Sequence, residues 1–497
     1  MVARYAASMK TTSFDTKTGQ TTFSESTPTV LDESTLLKNV ESNVVGIYPR
    51  YAFQTIEGFG CAMTESACYL LSRMSKETRT EALKAWFGNS AIDARFIRIP
   101  LDSCDYSLDE YQAVEDPISD PSLATFSMER NNKYIIPVVK EALEIADGKI
   151  SALLSPWSPP VQWKTAPEIS ENDAKVYGDF GFEVPTEPSR NFGGRLKREY
   201  YKPWAQYLVT YVQAYLDAGI PVTMLSIQNE ASAATMWDSC LWSGEEESTF
   251  LHDYLYPAMK EAGLLEKVGI FIWDHNKERM LEHVDEMFET DIADMISGIA
   301  YHWYSGDHFE ALDLIHNAYP DKILMHSESC GLHIPGKTYA FKPVDGPEPE
   351  STVTPIEMDF ADAVMYAHDM IGDINHGMQR WIDWNLCVDR TGGPRHVLGG
   401  FAAPIVAEDN GTFEKTISYH YIAQIAHVVQ PGSIRIGSST WSDTVEVAAV
   451  KRPDDSIGII LLNKHDNDQE VNIRVSGQLS TVNLPAHTLS SVILNEQ

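Results

Sequence analysis

Long apolar runs are missing from this 497-residue chain. The longest, such as residues 268–273, broken only by Gly269, fall far short of the roughly 20 residues a membrane helix needs. The opening stretch MVARYAASMKTTSFDTKTGQ has no apolar core of the kind a secretion signal carries, so a cytoplasmic chain is expected. On that expectation the sequon Asn410-Gly411-Thr412 stays unmodified. Cysteine is scarce: six residues, none in a C-x-x-C pair, make neither a disulfide framework nor a zinc site, and free thiols are expected. Cations are scarce too, with 38 Lys and Arg against 71 Asp and Glu, a formal net charge of −33. Such a surface repels phosphate backbones and anionic lipid leaflets, which excludes nucleic acid and electrostatic membrane docking as partners and leaves neutral or cationic ones. No Gly-x-Gly-x-x-Gly turn follows the first apolar run, no H-E-x-x-H helix occurs, and the histidines lack ligand spacing, so neither a cofactor nor a metal is expected. With 43% hydrophobic and 22% charged residues the chain is an ordinary folded protein.

What is present is alternation. Between residues 51 and 430, short β-branched runs centred on 53–60, 95–102, 150–157, 222–229, 268–275, 298–304, 322–328 and 380–386 are each followed by a stretch of helical period. The clearest helices are 127–146, 200–218, 245–262, 307–318 and 358–376; in 200–218, Trp204, Leu208, Tyr211, Val212 and Tyr215 recur at steps of three and four and make one apolar face. Eight such units predict a (β/α)₈ barrel. From 431 to 497 short strands follow one another with turns between, an antiparallel β-sandwich domain, and residues 1–50 read as strands that pack with it.

A barrel of this kind carries its chemistry at the C-terminal ends of its strands. Those ends hold Asp102 and Asp105 (strand 2), Trp157 (3), Asn229 and Glu230 (4), Asp274 and His275 (5), His302 and Tyr304 (6), Ser327 and Glu328 (7), and Trp384 and Asn385 (8). Glu230 and Glu328 face each other across the barrel mouth. Hydrolysis of a glycosidic bond needs that arrangement, because one carboxylic acid protonates the leaving oxygen while the other meets the positive charge growing at the anomeric carbon. Aromatic rings suit the apolar faces of sugars, and Asp, Asn and His suit their hydroxyls. Either Glu alone at a strand end would read as a surface ion-pair partner; the joint placement gives the pair its meaning. The run Glu245-Glu246-Glu247 reads as a helix N-terminus, and the cysteines behind strands 1, 2, 7 and 8 as small buried thiols.

The segments IEGFGCAMTESA, RIPLDSCDYS, LLSPWSPPVQWKT, GGRLKREYYKPWAQYLVTYVQAY, SIQNE, YHWY, HSESCG and WIDWNLCVDRTGGP, in this order over about residues 55–405, resemble glycoside hydrolase family 30, in its glucosylceramidase-like branch. The resemblance implies a retaining β-glycosidase with Glu230 as general acid/base and Glu328 as nucleophile. It also implies that Arg98 holds Glu328 ionised and that Asn229 meets the sugar 2-hydroxyl. Asp105, Trp157 and Trp384 would then wall the sugar, with His302 and Tyr304 partnering the nucleophile. On this reading Glu230 starts protonated, its pKa lifted by Glu328 and by burial. Ala231 stands where the family commonly has proline. Residues 231–244, 165–198 and 333–355 match nothing specific, so the substrate stays open: a terminal β-glucoside, a β-xyloside, a β-fucoside, a β-1,6-glucan or glucosylceramide itself, with a silent sugar-binding scaffold as the remaining alternative. The charge favours soluble glycosides over a lipid surface.

Overall fold

The computed structural model describes residues 5–32, 43–342 and 347–496; parts of the N-terminal stretch and of the 333–355 loop lie outside these. Eight parallel strands close into a barrel: Gly58–Ala62 (β1), Phe96–Leu101 (β2), Ser151–Pro156 (β3), Val222–Ser226 (β4), Gly269–Asn276 (β5), Gly298–His302 (β6), Ile323–Glu328 (β7) and Arg380–Asn385 (β8). The first departs from expectation. Residues 53–56 end a strand, Val44–Ile56, that belongs to the other sheet, where Thr55 pairs with Ile434; β1 starts only at Gly58. Glu57 marks the break, its N–H donating to Gln379 and its carboxylate held by Arg380 at 2.9 Å. One continuous apolar run thus supplies two sheets.

Alternate residues of a strand share a face, and the barrel interior shows the consequence. Phe96, Leu153, Met224, Phe271, Ala300, Met325 and Ile382, one from each of β2 to β8, form a single buried cluster in the lumen. Two positions further along, the inward face changes character: Arg98, Ser155, Ser226, His302, Ser327 and Trp384 are all buried above that layer. A polar tier therefore rests on an apolar plug at the C-terminal end of the barrel.

Helices cover the outside. Tyr201–Asp217 buries Trp204, Leu208, Tyr211, Val212 and Tyr215, as its period requires. Pro355–Asn375 opens with a Thr354/Glu357 capping box and brings Asp369 and Asp373, one turn apart, onto the buried Lys277 and His326. The expected helix 245–262 is interrupted by a π-turn at Leu251–Leu255; its acidic start is capped by Ser243, and Glu247 is buried against His283 at 2.7 Å. Within 165–198 lies a further helix, Glu171–Asp179, that the periodicity did not reveal.

The second domain is a β-sandwich whose ten-stranded sheet joins Tyr5–Asp15, Gln20–Ser26 and Val44–Ile56 to the C-terminal strands. It folds over its own core of Ala7, Val45, Ile459, Ile473 and Val492, and the Tyr5 N–H reaches across to Gln478 at 2.9 Å. One pairing, Val44–Ile56 with Gln469–Val475, is parallel within the otherwise antiparallel sheet. All six cysteines are free and buried. Among the described residues no helix is long and apolar enough to cross a membrane.

Candidate active site

Simple alternation does not by itself form the upper tier of the barrel; three bulges help to set it. Ala300 pairs with Trp273 but Tyr301 with His275, so Asp274 is an extra residue in β5, and Trp273 and Asp274 both adopt positive φ, 71° and 48°. Ser327 in β7 and Trp384 in β8 are skipped in the same way. Bulges at strand ends re-aim side chains, and these aim Asp274 and Trp384 at one point, with Ser327 turned onto Asp274.

That point is Arg98, fully buried on β2. Its Nη1 donates to Glu328 Oε2, and its Nη2 faces Asn229 Oδ1 at 2.7 Å, Asp274 Oδ2 at 2.8 Å and Ser155 Oγ at 3.1 Å. The guanidinium carbon lies 4.7 Å from the Trp157 ring centre and 5.6 Å from that of Trp384, and the two indoles stack at 5.2 Å. Asp274 collects the remaining donors: Ser155 and Ser226 at 2.7 Å, Ser327 at 2.6 Å and His302 Nε2 at 3.1 Å. Burial alone would raise its pKa, but the Arg98 charge and these hydrogen bonds hold it far below the usual carboxylate range.

The structure brings Glu230 and Glu328 to one cavity of about 590 Å³, together with Asp105, Trp157, Asn229, Tyr304 and Trp384. Tyr304 donates to Glu328 at 3.0 Å, beside the nucleophile candidate as expected. His302 does not. Its Nδ1 lies 3.4 Å from Glu230 and its Nε2 on Asp274, so it partners the other carboxylate. His275 stands 3.7 Å from Glu230 on the same side. Glu230 itself has φ of 50°, and its N–H is fixed by the Asp274 carbonyl at 2.9 Å, a strained conformation of the kind found at functional sites.

This changes the expected protonation. Burial pushes the Glu328 carboxyl up to about 7 against the pull of His302 and Arg98, and the Glu230 charge pushes it the same way. Burial acts on Glu230 too, but the His302 hydrogen bond and the two imidazoles bring it below its ordinary value. For His302, burial opposes the charged form, but Glu328 and the contacts with Asp274 and Glu230 raise its pKa to about 9. The lift expected on Glu230 from proximity to Glu328 is outweighed by histidines that the spacing did not place there.

Of the two carboxylates that end strand 2, the structure uses one. Asp105 lines the cavity with its Oδ2 held by Arg395 at 2.8 Å. Asp102 is turned away onto Tyr207, Tyr211 and the Ala113 N–H. Sequence reasoning missed Asp274 as the hub, Ser155 and Ser226 beside it, the role of Ser327 as its donor, and Arg395. Asp274 stood among the strand-end polar residues without a partner to single it out. The serines had a usable signal, each lying two positions beyond a lumen residue. Among the described residues, two groups have ligand atoms within 4.8 Å of one another and could hold a metal: Glu230, His275 and His302, and His326, Asp369 and Asp373. In the second group the Lys277 ammonium already sits on both aspartates.

Two opposed carboxylates over a barrel mouth, one gripped by a buried arginine and walled by stacked indoles, define a glycoside hydrolase site. The family models agree: residues 56–429 match the glycosyl hydrolase family 30 TIM-barrel domain and residues 432–492 its β-sandwich domain, so the chain belongs to glycosyl hydrolase family 30. It is 26% identical to the lysosomal acid glucosylceramidase of Mus musculus over 468 residues, 91% of this chain and 83% of that one. Over 458 residues, 89% of this chain and 85% of that protein, it is 23% identical to the endo-1,6-β-D-glucanase neg1 of Aspergillus fumigatus. Among solved structures, SrfJ from Salmonella typhimurium superimposes with a TM-score of 0.84 at 28% identity, covering 99% of this chain and all of that one.

Replacing Arg98 by Met leaves Asp274 and Glu328 buried without their counter-charge and is expected to cost about 3–5 kcal/mol in urea denaturation. A loss below about 1 kcal/mol would show that the guanidinium does not hold the tier together.

Proposed function

We propose that this enzyme is a retaining β-glycosidase that removes a terminal β-linked glucose or a related sugar from short soluble glycosides, with Glu328 as nucleophile and Glu230 as general acid/base. The observation that carries the assignment of roles is the unequal set of donors on the two carboxylates. Glu328 accepts from both Arg98 and Tyr304, which its ionised form satisfies, while Glu230 faces two imidazoles that can exchange a proton with it. Below about pH 7 the carboxylate pair holds one proton. A bound glycosidic oxygen beside Glu230 draws it there, leaving Glu328 charged.

In the first step a Glu328 oxygen bonds the anomeric carbon as the bond to the leaving oxygen breaks, and the Glu230 proton passes to that oxygen. Consuming the Glu328 charge favours an ionised Glu230. In the second step Glu230 takes a proton from water as the water oxygen attacks the same carbon, and Glu328 leaves as carboxylate. Net retention follows from two displacements. The names of the relatives, glucosylceramidase and endo-1,6-β-D-glucanase, support glucose as the sugar, and the charge of −33 supports a soluble substrate. The β-1,6-glucan reading has its own support in the name of the Aspergillus fumigatus relative.

A panel of 4-nitrophenyl β-glucoside, β-xyloside, β-fucoside and β-galactoside tests the reading. One glycoside is expected to turn over, with Glu328→Gln losing the activity and azide rescuing Glu230→Ala as the β-glycosyl azide. An α-azide product, or rescue of the Glu328 variant alone, would reverse or refute the roles.

The pH profile is a separate test. The proton that Glu230 must donate belongs to a pair that gives it up near pH 7, so turnover falls as pH rises through about 7 and is kept below it. A rate level from about pH 6 to about pH 9 would contradict the shared proton.

A further inference from the structure

The cavity has two kinds of wall. Its floor is made by strand-end residues, among them all its charged carboxylates: Asp105, Glu230 and Glu328. Its outer wall is made by the loops after β3, β4, β7 and β8, and there the lining is Phe180, Thr235, Trp237, Leu332, Phe341 and Phe401, with two alanines between them. No charged side chain and a single hydroxyl lie in that set. The composition of the loops makes this selective. Residues 165–198 carry six carboxylates, at 168, 171, 173, 179, 183 and 187, yet the one residue of that loop that lines the cavity is Phe180. In the loop after β7, Lys337 and Lys342 stay outside while Leu332, half-exposed at 51%, and Phe341 line it.

These rings form a continuous arc. Phe180 meets Phe341 edge-on at 6.3 Å, bridging the loops after β3 and β7; Phe341 meets Phe401 at 5.5 Å, and Phe401 meets Tyr106 at 6.3 Å. Tyr106 then abuts Trp384 of the sugar wall at 5.8 Å. The opposite side, Thr235 and Trp237, lies on the loop that directly follows Glu230 and is pinned in place. Tyr177 donates to the Ala234 carbonyl at 3.4 Å, the Phe192 N–H to that of Thr235 at 2.6 Å, and the Ser239 N–H to that of Arg190 at 2.8 Å. The group released after protonation by Glu230 departs past this wall.

We infer that the leaving-group side of the site is built for an apolar alkyl or aryl aglycone rather than for a second sugar. The inference rests on the reading of Glu230 and Glu328 as the hydrolytic pair. A leaving sugar brings several hydroxyls, each of which loses water on entering; beyond His275 and Asn276 at the floor, the wall offers it one threonine hydroxyl and one indole N–H, too few to satisfy them, and unmet polar groups are where binding sites discriminate most strongly. An alkyl chain asks for no such partners and gains by covering the exposed Leu332 and the Phe180–Phe341 bridge.

The test compares kcat/KM for the n-octyl β-glycoside and the β-1,6-linked disaccharide of whichever sugar the aryl panel selects. Octanol is the poorer leaving group, so any preference for the octyl glycoside comes from binding. The wild type is expected to favour it by at least about tenfold, and the Phe180→Ser/Phe341→Ser double variant, checked for an unchanged melting transition, to lose most of that ratio. Turnover of an aryl glycoside with the disaccharide equal or better, or a ratio untouched by the double variant, overturns this inference alone. Silence on every aryl glycoside overturns the reading of the carboxylate pair and this inference with it.

Discussion

The site depends on one guanidinium. A fully buried arginine carries a desolvation cost that only several well-placed acceptors offset, and Arg98 has four: Glu328, Asp274, Asn229 and Ser155. These come from β7, β5, the turn after β4, and β3, so the same contacts that stabilise the charge fix the relative position of half the barrel strands. The stacked indoles of Trp157 and Trp384 close over its face, adding a cation–π contact and excluding water. Exclusion of water strengthens the hold on Glu328.

The supporting tier is local geometry put to use. A barrel strand on its own offers every second side chain to the lumen, too coarse a rule to converge a carboxylate and an indole on one arginine and a serine on that carboxylate. The bulges at Asp274, Ser327 and Trp384, and the positive φ of Asp274 and Glu230, supply the finer adjustment. Strained backbone persists where surrounding contacts over-determine it, and here the Glu230 N–H on the Asp274 carbonyl joins the two strained residues directly. Stability below, in the apolar lumen layer, underwrites strain above.

Much of this was legible in the sequence. The alternation of β-branched runs and helical periods marks the eight units, and Glu230 and Glu328 at the ends of the fourth and seventh runs mark the reaction. Other features were not, for identifiable reasons. Residues 53–60 read as one strand because nothing in apolar periodicity tells which sheet a strand joins; the division at Glu57 is set by Gln379 and Arg380, more than 300 positions away. Asp102 and Asp105 are equivalent by position near the end of strand 2, and only Tyr207, Tyr211 and Arg395 separate them. The resemblance put His302 with Tyr304 beside the nucleophile, yet its ring faces Glu230 and Asp274, and the distribution of protons follows from that. The apolar outer wall lies in loops that carry many charged side chains of both signs, so its character emerges only when the side chains that turn inward are seen.

The central claim is that Glu328, gripped by Arg98, forms a covalent bond to the sugar. A 2-deoxy-2-fluoroglycoside with an activated leaving group addresses it directly, because the fluorine slows both displacements while the leaving group restores the first, and the glycosyl-enzyme accumulates. Peptide mapping by mass spectrometry is expected to find the fluoroglycosyl ester on Glu328. An ester on Glu230, or hydrolysis with inverted configuration and no ester at all, would contradict the account.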